Sequence, residues 1–91
     1  MLRITEELEN NAAVRFRLDG TISQEASDEL AELFARHQST GTRIVIVDMA
    51  GVNFMSHEAA RSIARMRSKS LRIINCSPFI AALLESAKTS A

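Results

Sequence analysis

Ninety-one residues leave room for one domain, expected to span 1–91. Hydrophobic residues make up 46%, which excludes a disordered chain, while aromatics at 4% with no Trp or Tyr demand an aliphatic core. Eleven cations balance eleven acids, so the chain lacks the overall basic field that holds nucleic acid.

Leu2-Arg3-Ile4-Thr5-Glu6 alternates apolar and polar, as a half-buried strand does. Glu9-Asn10-Asn11 is turn chemistry. From Ala13 to Asp19 the alternation returns, with Val14, Phe16 and Leu18 on one face and Arg15 and Arg17 on the other. The two segments read as a hairpin. Asp19-Gly20-Thr21 is expected to break the second strand, because Gly20 takes φ > 0 without steric cost.

Ser23 is positioned to cap a helix, with Glu25 in its first turn. Ala26, Leu30, Leu33, Phe34 and His37 fall at helical spacing, and Thr40-Gly41 is the expected stop. Ile44-Val45-Ile46-Val47 does not alternate, which suits a central strand buried on both faces. A turn is expected through Met49 to Val52. Ser56 then caps a second helix, with Ala59, Ala60, Ile63 and Met66 inward and Arg61 and Arg65 outward.

Leu71 to Asn75 reads as a further strand. Ser77 followed by Pro78 is a helix start, and Phe79, Ile80, Leu83 and Leu84 form that helix's apolar face. Residues 86–91 are expected to fray. The fold expected is α/β: a small mixed four-stranded sheet with about three helices, the Ile44 strand central and flanked by those at Val14 and Leu71.

Few chemistries are on offer. Two separated His and one Cys do not make a metal site, and His37 suits the end of a helix better than a ligand set. Ser56-His57-Glu58 are adjacent and point in different directions, so they are not a catalytic triad. No glycine-rich phosphate loop is present. Cys76 precedes a helix start, which lowers a thiol's pKa in some proteins, although a small apolar filler is the simpler role. No catalytic residue, cofactor or metal is expected. The apolar run at Ile44 is far short of the roughly 18–20 residues that cross a bilayer, and no signal peptide is visible. With a lone Cys, a cytoplasmic, reducing setting is expected.

Charge is uneven. Up to Glu32 eight acids face three cations, and beyond it three acids face eight cations. Solvated faces account for this; so do complementary patches for a protein partner.

From Val14 to Glu85 the chain resembles a STAS domain, the family of bacterial anti-sigma factor antagonists. The resemblance rests on Leu18-Asp19-Gly20, the helix from Ser23, the run Val47-Asp48-Met49-Ala50-Gly51-Val52-Asn53-Phe54-Met55, and Asn75-Cys76-Ser77-Pro78, all in the family's order. It implies a regulatory protein-binding module acting in transcription control. By that resemblance the partner surface comprises Gly20, Thr21, Ser23, Asn53, Ser56, His57, Glu58 and Arg61. The partner implied is a serine-kinase-type anti-sigma factor; the alternative is the ATPase of a lipid ABC transporter, with this chain as its STAS subunit.

Two departures stand out. The family's D-S-S-G helix start is Ser56-His57-Glu58-Ala59 here, so His57 and Glu58 occupy the serine positions and the usual phospho-acceptor is missing. Glu58 would supply a permanent negative charge near the helix's positive end, or serve simply as a first-turn residue. Ser56 remains a candidate acceptor, or else an N-cap whose oxygen is occupied. The chain is also expected to be C-terminally shortened relative to the family.

Overall fold

The computed structural model describes residues 2–10, 12–39 and 44–89, with only the backbone described for 8–10, 39 and 88–89. Strand β1 (Leu2–Asn10) pairs antiparallel with β2 (Ala13–Ile22). Helix α1 (Gln24–Ser39) crosses to β3 (Ile44–Met55), which lies parallel to β2. Helix α2 (His57–Met66) crosses to β4 (Leu71–Ile74), parallel to β3, and α3 (Pro78–Thr89) follows. The sheet order is β1-β2-β3-β4, so β3 is an interior strand between the Val14 and Leu71 strands, as expected.

One core cluster joins a single face of this sheet to all three helices. Val14, Phe16 and Leu18 of β2 and Val45, Val47 and Met49 of β3 meet Leu30 and Phe34 of α1, Ala59 and Ile63 of α2, and Ile80 and Leu84 of α3. Phe16 and Phe34 pack as tilted rings 5.4 Å apart. The expectation that Ile44 to Val47 is buried on both faces is corrected. Val45 and Val47 are buried, whereas Ile44 and Ile46 are half-buried on the face away from the cluster. Their β-branched side chains suit any strand, so composition alone did not separate a one-sided strand from a two-sided one.

Three expected turns are instead strand. β1 continues to Asn10, which pairs with Ala13, and the register shifts between Leu8 and Asn10 so that Glu9 is strand without a ladder partner, while Asn11 lies outside the described residues. β2 runs through Asp19-Gly20-Thr21 to Ile22, and β3 runs through Met49 to Val52 and on to Met55. Each supports the other: the pairing slips between Arg17 and Asp19 and again between Gly20 and Thr21, each time leaving an extra residue on β3. Gly20 absorbs the distortion at φ 111°. The bulges change the burial spacing on β3 from every second residue to every third, so Met49, Val52 and Met55 are all buried.

The remaining differences are local. β1 is an edge strand, and its Ile4 is 37% exposed rather than half-buried. β4 ends at Ile74, because Asn75 takes φ 59° and leaves the ladder. Phe79 is not on the buried face of α3: it is 52% exposed, and Ile80 and Leu84 form the buried stripe. Residues 86–89, expected to fray, are the last turn of α3. The Thr40-Gly41 stop and residues 90–91 lie outside the described residues.

Candidate functional site

Because β2, β3 and β4 run parallel, their C-terminal ends share one edge of the sheet, and all three helices begin there. In parallel α/β sheets this edge is where loops are free to bind. Each helix is capped by a serine. Ser23 Oγ accepts from the Ala26 N–H at 3.2 Å, Ser56 Oγ from the Ala59 N–H at 3.1 Å, and Ser77 Oγ from the Ile80 N–H at 3.2 Å. Such caps satisfy backbone donors that a helix leaves unpaired.

The edge is tied together across the chain. The Ser56 N–H donates to the Ile22 carbonyl at 3.1 Å, joining the end of β2 to the start of α2. Thr21 Oγ1 donates to Asn53 Oδ1 at 3.2 Å. Gly20 is paired with Val52 in the ladder. Ser23, Asn53, His57, Glu58 and Arg61 are exposed, while Gly20, Thr21 and Ser56 are half-buried. Sequence-expected positions separated by more than thirty residues, such as Thr21 and Asn53, thus share one surface. Arg61 lies one helical turn beyond the edge on α2.

Reading the sequence alone missed four residues that hold this edge in place: Asp48, Arg15, Asn75 and Gly51. Asp48 is buried on β3, and its carboxylate is fully engaged. One oxygen accepts from the Arg15 guanidinium; the other accepts from the Ala50 N–H at 3.0 Å and the Asn75 amide at 3.2 Å. Burial pushes this carboxyl upward, but the Ala50, Arg15 and Asn75 hydrogen bonds outweigh it and hold it below its ordinary value. Arg15 also faces Glu7, with Nε 3.9 Å from Oε1. The Asn75 bond fastens the left-handed residue that aims the chain into α3. An acid directly after four apolar residues in a parallel strand was the available signal, since a buried carboxylate must find donors.

Gly51 is the fourth. A β-carbon there would lie 1.9 Å from Asp19 Oδ1 and 2.9 Å from the Leu18 carbonyl. Backbone of β2 therefore packs where any side chain would go.

Other candidates fall away from the edge's chemistry. Burial pushes the Cys76 thiol up, against a partial pull from Arg67, so it is not an activated thiolate. It lines a cleft of about 140 Å³ with Arg67, Ile73, Ala81, Leu84 and Glu85. His37 sits edge-on to Phe16 at 5.0 Å, with Nε2 3.6 Å from Glu6 Oε1, bridging α1 to β1. Among the described residues no group of three or more His, Cys, Asp or Glu is gathered to hold a metal, and no helix is long and apolar enough to cross a membrane.

The family model of the STAS domain matches residues 4–90. No curated protein matches the sequence. The fold is similar to that of the anti-sigma factor antagonist SpoIIAA in its unphosphorylated form, at 18% identity and TM-score 0.71, covering 91% of this chain and 82% of that one. It is similar to the Bacillus cell fate determinant SpoIIAA in the phosphorylated form, at 15% identity and TM-score 0.64, covering 97% and 86%. It is also similar to the anti-sigma factor antagonist STAS domain from Rhodobacter sphaeroides, at 13% identity and TM-score 0.58, covering 81% and 86%. At such identities these likenesses establish the fold.

Proposed function

The chain belongs to the STAS domain family, and from that premise we propose that it is a non-enzymatic, cytoplasmic regulatory module that binds a serine-kinase-type anti-sigma factor. The docking surface is the C-terminal edge of the sheet: Gly20, Thr21 and Ser23, then Asn53, then Ser56, His57, Glu58 and Arg61. The observation that carries the reading is the joining of these segments by the Thr21–Asn53 and Ser56–Ile22 bonds into one fixed, accessible surface.

The module binds without a phosphate switch. His57 and Glu58 stand where the family's serines stand, and both are exposed. Ser56 is the N-cap of α2, and its oxygen is occupied by the Ala59 N–H. Glu58 puts a carboxylate in the first turn of α2, where the helix dipole favours negative charge.

The test is to mix the chain with its anti-sigma factor kinase and ATP, then measure complex formation and intact mass. A complex with unchanged mass is the expected outcome. A stoichiometric phosphate on Ser56 overturns the constitutive reading, and co-purification with a transporter ATPase in place of the kinase replaces the partner.

A further inference from the structure

The sheet has two edges, and they are not equally open. β4 is four residues long, and Ser68 bridges back onto its first residue, Leu71. β1 is nine residues long and, among the described residues, has a ladder only with β2. An edge strand presents a row of backbone N–H and C=O groups to any chain that comes alongside. Arg3, Ile4, Thr5, Glu6 and Glu7 are all exposed on this one. Charges usually guard such an edge against pairing. In β1 they are spaced so that the strand complements its own reverse.

The register on β2 fixes the faces of β1. Ile4 lies across from Leu18, on the core face. Arg3, Thr5 and Glu7 lie across from Asp19, Arg17 and Arg15, on the face away from the helices. Set antiparallel to a second copy with Thr5 opposite Thr5, Arg3 falls opposite Glu7 and Glu7 opposite Arg3. Arg15 already faces Glu7, with Nε 3.9 Å from Oε1. The joined sheet then carries a row of alternating sign: Arg15, Glu7, and the Arg3 and Asp19 of the second copy. Ile4, 37% exposed, lies diagonal to its own copy, within reach of a long side chain. The Glu6 carboxylates form the other diagonal, and each has the His37 of its own chain 3.6 Å away. Sliding the register by two residues one way sets Glu6 against Glu6. Sliding it the other way leaves Arg3 opposite Thr5 and forgoes both ion pairs. Parallel pairing in register sets Arg3 against Arg3 and Glu7 against Glu7.

We infer that β1 is a self-association strand: two copies of the chain join β1 to β1, antiparallel, about a two-fold axis at Thr5, and form one continuous sheet. Such an interface is isologous, so each Arg3–Glu7 contact occurs twice. The axis stands perpendicular to the sheet. Both sets of helices therefore lie on one side, and the two C-terminal edges point in opposite directions, each left open. The inference does not depend on the function proposed above; it makes the module bivalent. One strand pair is a small interface beside the roughly 800 Å² per partner of a standard one, so the dimer is expected to form in proportion to concentration.

The experiment is sedimentation velocity of the full chain over a concentration series. The mass is expected to rise from that of one chain toward twice that value. Arg3→Glu and Glu7→Arg, each checked for native circular dichroism, place like charges opposite one another at both symmetric contacts. Each is expected to weaken the dimer about ten-fold or more. An equimolar mixture of the two variants is expected to regain it, because in the mixed pair the two substituted positions face each other and so do the two native ones. Arg3→Gln and Glu7→Gln serve if a charge reversal misfolds, with a smaller loss expected. A monomer at every concentration, a dimer that neither variant weakens, or no recovery on mixing overturns the inference. The reading of function fails separately, when the anti-sigma factor itself does not bind.

Discussion

The two ends of the sheet are built from the same secondary structure and differ in almost everything else. At the C-terminal edge, three serine caps, the Thr21–Asn53 bond and the Ser56–Ile22 bond fix the backbone, and Glu25 and Glu58 stand in the first turns of α1 and α2. At the opposite end the helices finish on Arg36 and Arg65, and α2 exits through Arg67 in an extended conformation. Both placements follow helix electrostatics, which favour acids at N-termini and cations at C-termini. Because the two crossover helices run the same way, the preference is repeated on α1 and α2, whereas α3 carries no acid in its first turn. Zero net charge therefore conceals an uneven placement of charge along α1 and α2. The acidic first part and basic second part of the sequence are a shadow of this, blurred because each helix contributes to both ends.

The comparison breaks most severely at the Asp48 network, which holds the C-terminal edge from beneath. Asp48→Ala leaves the Arg15 guanidinium without its buried carboxylate and frees Asn75, and should cost about 3 kcal/mol in urea denaturation. Because the folded state holds this carboxyl below its ordinary value of 3.8, its stabilisation is present above that value. It is lost as pH falls through the lowered folded value, so wild type loses stability in acid and the variant's acid limb is flatter.

Gly51→Ala is next. The added carbon collides with the Leu18 carbonyl and the Asp19 side chain, so the bulged end of the β2–β3 ladder must part. A loss of about 2 kcal/mol is expected, with amide protection falling at residues 19–22 and 51–55 and persisting at Val14 to Phe16. Uniform loss across the ladder would show that the edge has no separate stability.

Ser56→Ala removes one cap and should lower stability by about 1 kcal/mol. Ser56→Asp, which caps as well, is expected to restore it in thermal denaturation. Failure of that rescue would mean that the hydroxyl does something besides accept the Ala59 N–H.

The smallest effect is expected at the opposite end. Arg65→Gln, on an exposed position, should change stability by less than about 0.5 kcal/mol. It should also leave binding at the far edge unchanged by calorimetry. A large loss of binding there would erase the functional distinction between the ends.

Particular residues show how far the chain could be read in advance. Ser23, Ser56 and Ser77 announced their helices, because a cap is a contact between residues three apart. Phe16, Leu18, Leu30 and Ile80 announced the core by their period. The turn expected at Met49 to Val52 was strand because β2 extends alongside it, and no local signal reports a neighbour thirty residues away. Phe79 belongs to an apolar helical pattern and still faces solvent, since Phe54 gives it a partner on the surface.

The amino-acid order alone determined the alternation of strands and helices, the caps, the aliphatic core and the family, because each depends on contacts or patterns short enough to be written along the chain. Only the tertiary structure decided that β3 is open on one face, that two bulges carry it past β4, and that Asp48 finds Arg15 and Asn75. Those outcomes depend on pairing register between distant strands, and a shift of one residue there exchanges which side chains meet and which face water.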